Sequence, residues 1–210
     1  MAGEGITLHF KAEVFQKSGS FKVRGACNAV FSLTESEACR GVCAHSSGNH
    51  AAAVAYAARL RGVPAHIVVP HTIPRAKADA VTAYGGTLYF CEATIEAREA
   101  ECARVAAATG TAFIHPYNDS RVMAGQGTIA LEFLDQVPQL DAIVVPISGG
   151  GMISGIATAA KALKPSLRII AAEPTGTNNG ADAAMAKAAG ALVAAPRPAT
   201  VADGLQTGCR

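Results

Sequence analysis

The feature that most constrains the fold is a repeated alternation of short β-branched runs with alanine-rich segments. Strands are predicted at AHIVVP (65–70), TLYFCE (87–92), TAFIHP (111–116), AIVVPI (142–147) and LRIIAAEP (167–174). Helices are predicted between them, at 49–62, 74–85, 94–110, 122–136 and 151–165. The predicted strands are almost wholly apolar, which is typical of strands covered by helices on both faces. The sequence therefore predicts an α/β fold with parallel sheets flanked by helices.

Composition and charge exclude several classes of function. The 210 residues are 50% hydrophobic, enough for one large or two small domains. A net charge of +2 without a basic cluster argues against nucleic acid and anionic membranes as partners. No apolar run reaches membrane-spanning length and no secretory signal is evident, so we expect a cytoplasmic protein that acts on small molecules. The six cysteines have neither zinc-site spacing nor disulfide-scaffold density, and we expect reduced, structural thiols.

Two loops are predicted at the carboxyl ends of strands, where open parallel sheets place their ligands. In AHSSGNH (44–50), hydroxyl, glycine and amide groups lie before a helix and could bind a carboxylate, although ordinary helix capping is the alternative. In PISGGGMISG (146–155), three glycines before a helix would let backbone N–H groups hold a phosphate, with a tight turn as the alternative. This second loop has neither Walker nor dinucleotide-binding spacing.

A lysine completes this set of features. In KSGSFKVRGA (17–26), Lys22 stands at the predicted start of a helix, where the helix dipole disfavours its ammonium form. Taken alone, Lys22 could be an ordinary surface lysine. Pyridoxal phosphate (PLP) needs all three features, because it binds a lysine as a Schiff base, requires a phosphate cradle and presents amino acids with a free carboxylate.

The sequence resembles the serine racemase and serine/threonine dehydratase group of PLP enzymes, which have the tryptophan synthase β fold. The resemblance runs from Leu8 to Gly204 and is closest to the serine racemases. It rests on FQKSGSFKVRGACNAV, HSSGNHAAAVAYAA, AGQGTIALE, VVPISGGGMISGIA, IIAAEP and ADG. It implies racemisation of L-serine, elimination to a 2-oxo acid and ammonia from serine or threonine, and a homodimer if the full-length fold is present.

The resemblance also implies a role for individual residues. Lys22 would carry the cofactor, Phe21 would pack beside its ring, and Asn49 would bind the ring's phenolic oxygen. The phosphate would be bound by Ser148, Gly149, Gly150, Gly151 and Met152, and the substrate carboxylate by Ser46, Ser47, Gly48, Asn49 and His50. Lys22 and Ser47 would exchange a proton on opposite faces of the substrate, as inversion requires.

Other positions carry weaker indications. Arg98 matches a substrate-side arginine of the family, with an ordinary solvated helix charge as the alternative. We expect His45 and His115 to be packed or capped rather than catalytic. A Mg²⁺ or Ca²⁺ site is implied at Glu173 and the Thr177 carbonyl, but Asn179 stands where the family has an acid, which should weaken binding.

The resemblance divides the chain into a large domain, 1–40 and 119–210, and a small domain, 41–118. Family members extend further at both ends, so the large domain is expected to be incomplete. Two alternatives to a serine racemase therefore stay open. One is a dehydratase that prefers threonine, and the other is a catalytically dead protein that binds the cofactor or a partner.

Overall fold

The computed structural model describes residues 5–46, 48–176, 181–193, 196 and 198–205. Six strands are formed: β1 Val42–His45, β2 Ala65–Pro70, β3 Thr87–Cys91, β4 Ala112–Phe113, β5 Ala142–Pro146 and β6 Arg168–Ala172. The α-helices are α1 Lys22–Phe31, α2 Glu35–Ala38, α3 Asn49–Arg61, α4 Arg75–Ala83, α5 Ile95–Thr109, α6 Ser120–Gln136, α7 Gly151–Leu163 and α8 Asp182–Ala189. The predicted alternation of strands and helices is confirmed. None of the described helices is long and apolar enough to cross a membrane.

The strands form two sheets in which every pairing is parallel. The larger sheet has the order β3-β2-β1-β4, with Val42 opposite both Ala65 and Ala112. The smaller sheet pairs β5 with β6, and Ala142 lies opposite Arg168. The division into a small domain at 41–118 and a large domain around it stays a prediction.

Burial of the strands differs between the sheets. All of β1 is buried, as predicted for a strand with helices on both faces. The same prediction was wrong for the edge strand β3, where Phe90 is 49% exposed, and for the smaller sheet, where Val144 is 62% and Ile170 42% exposed. Side chains alternate along a strand, and Ile143 and Val145 pack into a cluster with residues of α6 and α7. Val144 points the other way, so the helices cover this sheet on one face within the described residues.

Glycines let α1, α6 and α7 pack closely. A Cβ on Gly25 of α1 would overlap Gln126 Nε2 and lie 2.7 Å from the Val122 carbonyl oxygen on α6. Gly25 N also donates to Gln126 Oε1 at 3.2 Å. These contacts set the position of α1, and therefore of Lys22 at its first residue.

A partly buried ion-pair network also joins α1 to α6. The Arg24 guanidinium lies 2.7 Å from a carboxylate oxygen of Glu13 and 2.7 Å from one of Glu132. Lys11 pairs with the same Glu132 carboxylate at 2.7 Å. The Arg24 and Glu13 side chains are 8% and 15% exposed, so this pair is shielded from water, whereas Glu132 is 47% exposed.

Replacement of Arg24 by methionine is expected to lower the free energy of unfolding by about 3 kcal/mol, because it leaves the shielded Glu13 carboxylate without its partner. Hydrogen bonds from Arg24 and Lys11 lower the pKa of Glu132 from 4.5 to about 2. A carboxyl with a lowered folded-state pKa stabilises the fold above its unfolded pKa and loses that contribution as pH falls from about 4.5 towards 2. This part of the pH dependence should shrink in Arg24→Met.

Chemical denaturation at pH 7 and at pH 3 measures both the loss of stability in Arg24→Met and the smaller change of its stability with pH. Arg75→Met is the matched control, because Arg75 is 94% exposed and lies 3.7 Å from Asp79. It should change stability by less than about 0.5 kcal/mol. Equal losses in the two variants would contradict a structural role for the network.

Candidate functional site

Lys22 is the first residue of α1, and its amine is buried. Its Nζ donates a hydrogen bond to the Pro116 carbonyl oxygen at 2.7 Å and lies 5.2 Å from the centroid of the Phe21 ring. Burial lowers the pKa of Lys22 from 10.5 to about 8. The sequence argument attributed a weakened charge to the helix N-terminus, whereas removal from water is the cause here. The neutral amine that condensation with an aldehyde requires is thus accessible near neutral pH.

The first ligand loop, residues 46–50, joins β1 to α3. The Ser46 hydroxyl accepts a hydrogen bond from Gly48 N at 3.1 Å. Gly48 is the N-cap of α3 and has no side chain with which to cap the helix. The first N–H groups of α3 therefore have no side chain of the N-cap residue to satisfy them. Ser47 lies outside the described residues.

His50 stands in the first turn of α3 and is 2% exposed. Its Nε2 lies 3.0 Å from the Ile114 carbonyl oxygen, which can only accept, so Nε2 carries the proton. Burial, followed by the charge of Lys22, lowers the pKa of His50 to about 3. The buried Nδ1 has no hydrogen-bond partner among the described residues. The neutral ring thus keeps an unpartnered acceptor nitrogen, and the ring as a whole is near enough to Lys22 for that charge to lower its pKa.

The second ligand loop, residues 148–152, leads into α7. Gly150 has φ +85°, in the left-handed region that favours glycine, and is the N-cap of the 13-residue helix. A Cβ on Gly149 would lie 2.5 Å from the Tyr117 ring, and one on Gly151 would lie 2.6 Å from the Tyr117 carbonyl oxygen. The loop packs directly on Tyr117, and the first N–H groups of α7 are aligned for an anion. Met152 is half-buried and packs against the cluster around α6 and α7.

One short segment between β4 and α6 contacts all three predicted features. The Ile114 carbonyl accepts from His50, the Pro116 carbonyl accepts from Lys22, and Tyr117 packs on the glycine loop. Sequence reasoning missed this segment as part of the site. Two of its contacts use backbone carbonyls, which any residue type provides, so the sequence carried no signal for them.

His45 directly precedes the loop 46–50, and the charges of Arg98 and His115 both act on it. Arg98 is half-buried on α5, and its Nε donates to the Thr94 carbonyl at 3.2 Å. Burial, followed by the charge of Arg98, lowers the pKa of His45 to about 4. His45 stacks on Phe113, while His115 Nδ1 accepts from the backbone N–H of Asn118 at 2.8 Å. Both histidines make packing and turn contacts of the kind expected from the sequence.

The predicted metal ligands are only partly described. The Glu173 carboxylate accepts hydrogen bonds from the Ala183 and Ala184 N–H groups at 3.1 and 2.7 Å, at the start of α8. Thr177 and Asn179 lie outside the described residues. Within the described ranges, no group of three or more His, Cys, Asp or Glu residues could hold a metal ion.

Comparison with known proteins places this arrangement in a family. Residues 2–210 match the family model of the pyridoxal-phosphate dependent enzymes. The chain belongs to this family. The chain is 56% identical over 202 residues to serine racemase of Arabidopsis thaliana, covering 96% of the chain and 60% of that protein.

Two further relatives extend the comparison. The chain is 53% identical to β-hydroxyaspartate dehydratase of Paracoccus denitrificans, covering 96% of the chain and 63% of the relative. The solved structure of maize serine racemase superimposes with a TM-score of 0.91 at 52% identity, covering 94% of this chain and 59% of that one. The chain thus spans about 60% of the length of these relatives.

The described residues fit PLP. A buried amine with a lowered pKa suits attachment of an aldehyde, and a left-handed glycine before α7 leaves backbone N–H groups for a phosphate. The unpartnered Nδ1 of His50 is a buried polar atom that a ligand could satisfy. These groups lie around one segment, as the site of a single ligand requires.

The lowered pKa of Lys22 leads to a measurable pH dependence of its reactivity. Carbamylation by cyanate, a small reagent that reacts with neutral amines, should follow a midpoint near pH 8 at Lys22 in the folded chain. In urea the midpoint should move to the ordinary lysine value near 10.5. Because the folded state disfavours the charged amine, Lys22 destabilises the fold increasingly as pH falls from 10.5 to 8. Peptide mass spectrometry across pH 6–11 measures both midpoints, and identical midpoints would contradict burial of the amine.

Proposed function

We propose that this chain carries the PLP-binding and substrate-binding residues of a serine racemase that also eliminates water from serine or threonine. The observation that carries the proposal is the Lys22 amine, which is removed from water and donates a hydrogen bond to the Pro116 carbonyl oxygen. The segment that contains Pro116 also contacts both ligand loops. The similarity to serine racemases and to a dehydratase supports both activities. A cytoplasmic homodimer stays a prediction of the resemblance.

The chain's own groups divide the work of binding. Lys22 would hold PLP, and the N–H groups of 148–152 would bind its phosphate. The Ser46 hydroxyl and the N–H groups at the start of α3 would bind the substrate carboxylate, which the positive end of the helix dipole favours. Phe21 and Asn49 would contact the cofactor ring. Arg98 would add a positive charge on the substrate side.

Proton transfer at the substrate Cα would use two groups on opposite faces. Bound PLP supplies an electron sink that makes the Cα–H acidic. Lys22 Nζ, with a pKa of about 8, can take or return this proton near neutral pH. Ser47 Oγ is proposed as the group on the other face. Loss of the β-hydroxyl after proton removal by Lys22 would give elimination without any need for Ser47.

We include no metal ion in this chemistry. Each Glu173 carboxylate oxygen accepts one hydrogen bond at the start of α8, which leaves it a further lone pair. The other implied ligands, Thr177 and Asn179, lie outside the described residues and include no acid. Glu173 alone does not make a tight Mg²⁺ or Ca²⁺ site, so the proposal does not use one.

Incubation of the purified chain with PLP and L-serine tests the proposal by the appearance of D-serine and pyruvate. Ser47→Ala should lower the rate of racemisation at least about 100-fold, since one acid–base group contributes a factor on the order of 10² to 10⁴ to the rate. Elimination should stay largely intact, because it uses Lys22 alone. Ser166→Ala, at an exposed turn, is the control and should affect neither product.

The ratio of products also separates the alternatives. Faster turnover of L-threonine than of L-serine would favour a threonine dehydratase. PLP binding without either product would favour a catalytically dead binding protein and contradict the proposed activity.

A further inference from the structure

A small hydrophobic cluster brings three cysteines together between the larger sheet and α5. It contains Cys43 of β1, Cys91 of β3 and Cys102 of α5, packed with Val68 and Val105. Cys43 is 0% and Cys102 3% exposed, and their Sγ atoms lie 3.1 Å apart. These two residues are 59 positions apart in the chain, so only the fold creates the pair.

We propose that Cys43 and Cys102 are an oxidisable dithiol, which hydrogen peroxide converts to a disulfide that fastens α5 to β1. Cys91 belongs to the same cluster, but its Sγ donates to the Val69 carbonyl at 3.6 Å. The structure thus distinguishes one reactive pair within a group of three thiols.

The chemistry needs one peroxide for each disulfide. The Cys43 thiolate attacks hydrogen peroxide, forming an S–O bond and breaking the O–O bond, with hydroxide as the leaving group. Cys102 Sγ then attacks Cys43 Sγ, forming the S–S bond and releasing the oxygen as water after protonation. In total, two thiols and one peroxide give one disulfide and two waters.

The hydrogen bond between the thiols assigns these roles. Either thiol can donate to the other at 3.1 Å, and Cys43 Sγ also lies 3.7 Å from the Cys102 carbonyl oxygen, to which it can donate. The contact between the thiols lowers the pKa of Cys43 and raises that of Cys102. Thiolates are the reactive form, so Cys43 is the first to be oxidised. Because both sulfurs are buried, peroxide reaches them through local opening of the larger sheet and α5, and the reaction should be slow.

The position of the pair gives the bond a consequence for the ligand site. β1 leads directly into the loop 46–50, and Arg98 stands one helical turn before Cys102 on α5. A disulfide would fix the distance between the substrate loop and the helix that carries Arg98. This consequence rests on the proposed function, whereas formation of the disulfide does not.

Peptide mapping of the purified chain tests the proposal directly. Trypsin places each cysteine of the cluster in its own peptide: Cys43 in 41–59, Cys91 in 78–98 and Cys102 in 99–104. After treatment with peroxide and alkylation in denaturant, we expect a linked pair of 41–59 with 99–104, which dithiothreitol separates. The linked form should also melt on the order of 10 °C higher, because it closes a long loop in the unfolded chain.

Variants provide the controls. Cys91→Ala and the exposed Cys39→Ala should still form the link, and Cys102→Ala should lose it together with the rise in melting temperature. Failure to find the linked peptide in the unmodified sequence, with Cys43 and Cys102 both still alkylated, would overturn the proposal whatever the variants do. A link between Cys91 and either partner in place of this pair would overturn it as well.

Discussion

Replacement of Lys22 by alanine is expected to lower turnover of L-serine by on the order of 10³-fold or more, since the group that holds the cofactor and moves the proton is removed. Lys22→Arg should be equally inactive, because its guanidinium keeps the charge but stays protonated. The visible absorbance of protein-bound PLP should be lost in both variants. The rest of the fold should persist, because removing a buried amine relieves a desolvation cost.

Lys17→Ala is the matched control, because Lys17 is an exposed lysine five residues earlier in the same motif. It should retain PLP absorbance and any turnover. Reduction with borohydride followed by peptide mapping locates the modified lysine independently of activity. Modification of Lys17 or Lys77 with equal yield in Lys22→Ala would show that Lys22 is not the attachment site.

Replacement of Gly155 by alanine is expected to lower the free energy of unfolding by about 3 kcal/mol. A Cβ there would overlap the Met123 carbonyl oxygen of α6 and lie 2.8 Å from Gly127 N. Both neighbours are backbone atoms, so the helices must separate. Alanine favours a helix over glycine by about 1 kcal/mol. The overlap with α6 outweighs this gain, so the substitution should lower stability.

Thr158→Ala, at an exposed position of the same helix, provides the control and should change stability by less than about 0.5 kcal/mol. Urea denaturation measures both variants. Because α7 begins at the glycine loop, Gly155→Ala should also weaken PLP binding under conditions where it remains folded. An unchanged or raised stability for Gly155→Ala would contradict close packing of α6 on α7.

Local patterns in the chain predicted most of the secondary structure. The run 65–70 forms β2 at the predicted bounds, and the segment 151–165 forms α7 up to Leu163. Such segments are predictable because β-branched runs and alanine-rich stretches favour one backbone conformation locally. The segment 111–116 contributes a two-residue strand, because its last residues turn to contact His50 and Lys22.

The ligand loops were recognisable for a related reason. A phosphate or a carboxylate is bound by consecutive backbone N–H groups, so the glycines of 149–151 and the residues of 46–50 stand together in the sequence. The described thiols, Cys27, Cys39, Cys43, Cys91 and Cys102, are free, as expected from their spacing. The close approach of Cys43 to Cys102 could not be predicted, because no sequence pattern relates residues 59 positions apart.

The sequence by itself determined the order of strands and helices, the lysine and the two loops that point to PLP, and the family. Only the tertiary structure decided that Lys22 is buried against Pro116, that Tyr117 supports the glycine loop and that Cys43 meets Cys102. The physical reason is that conformational preference and anion binding are properties of neighbouring residues. Burial, a shifted pKa and contact between distant side chains arise only when separate elements pack together.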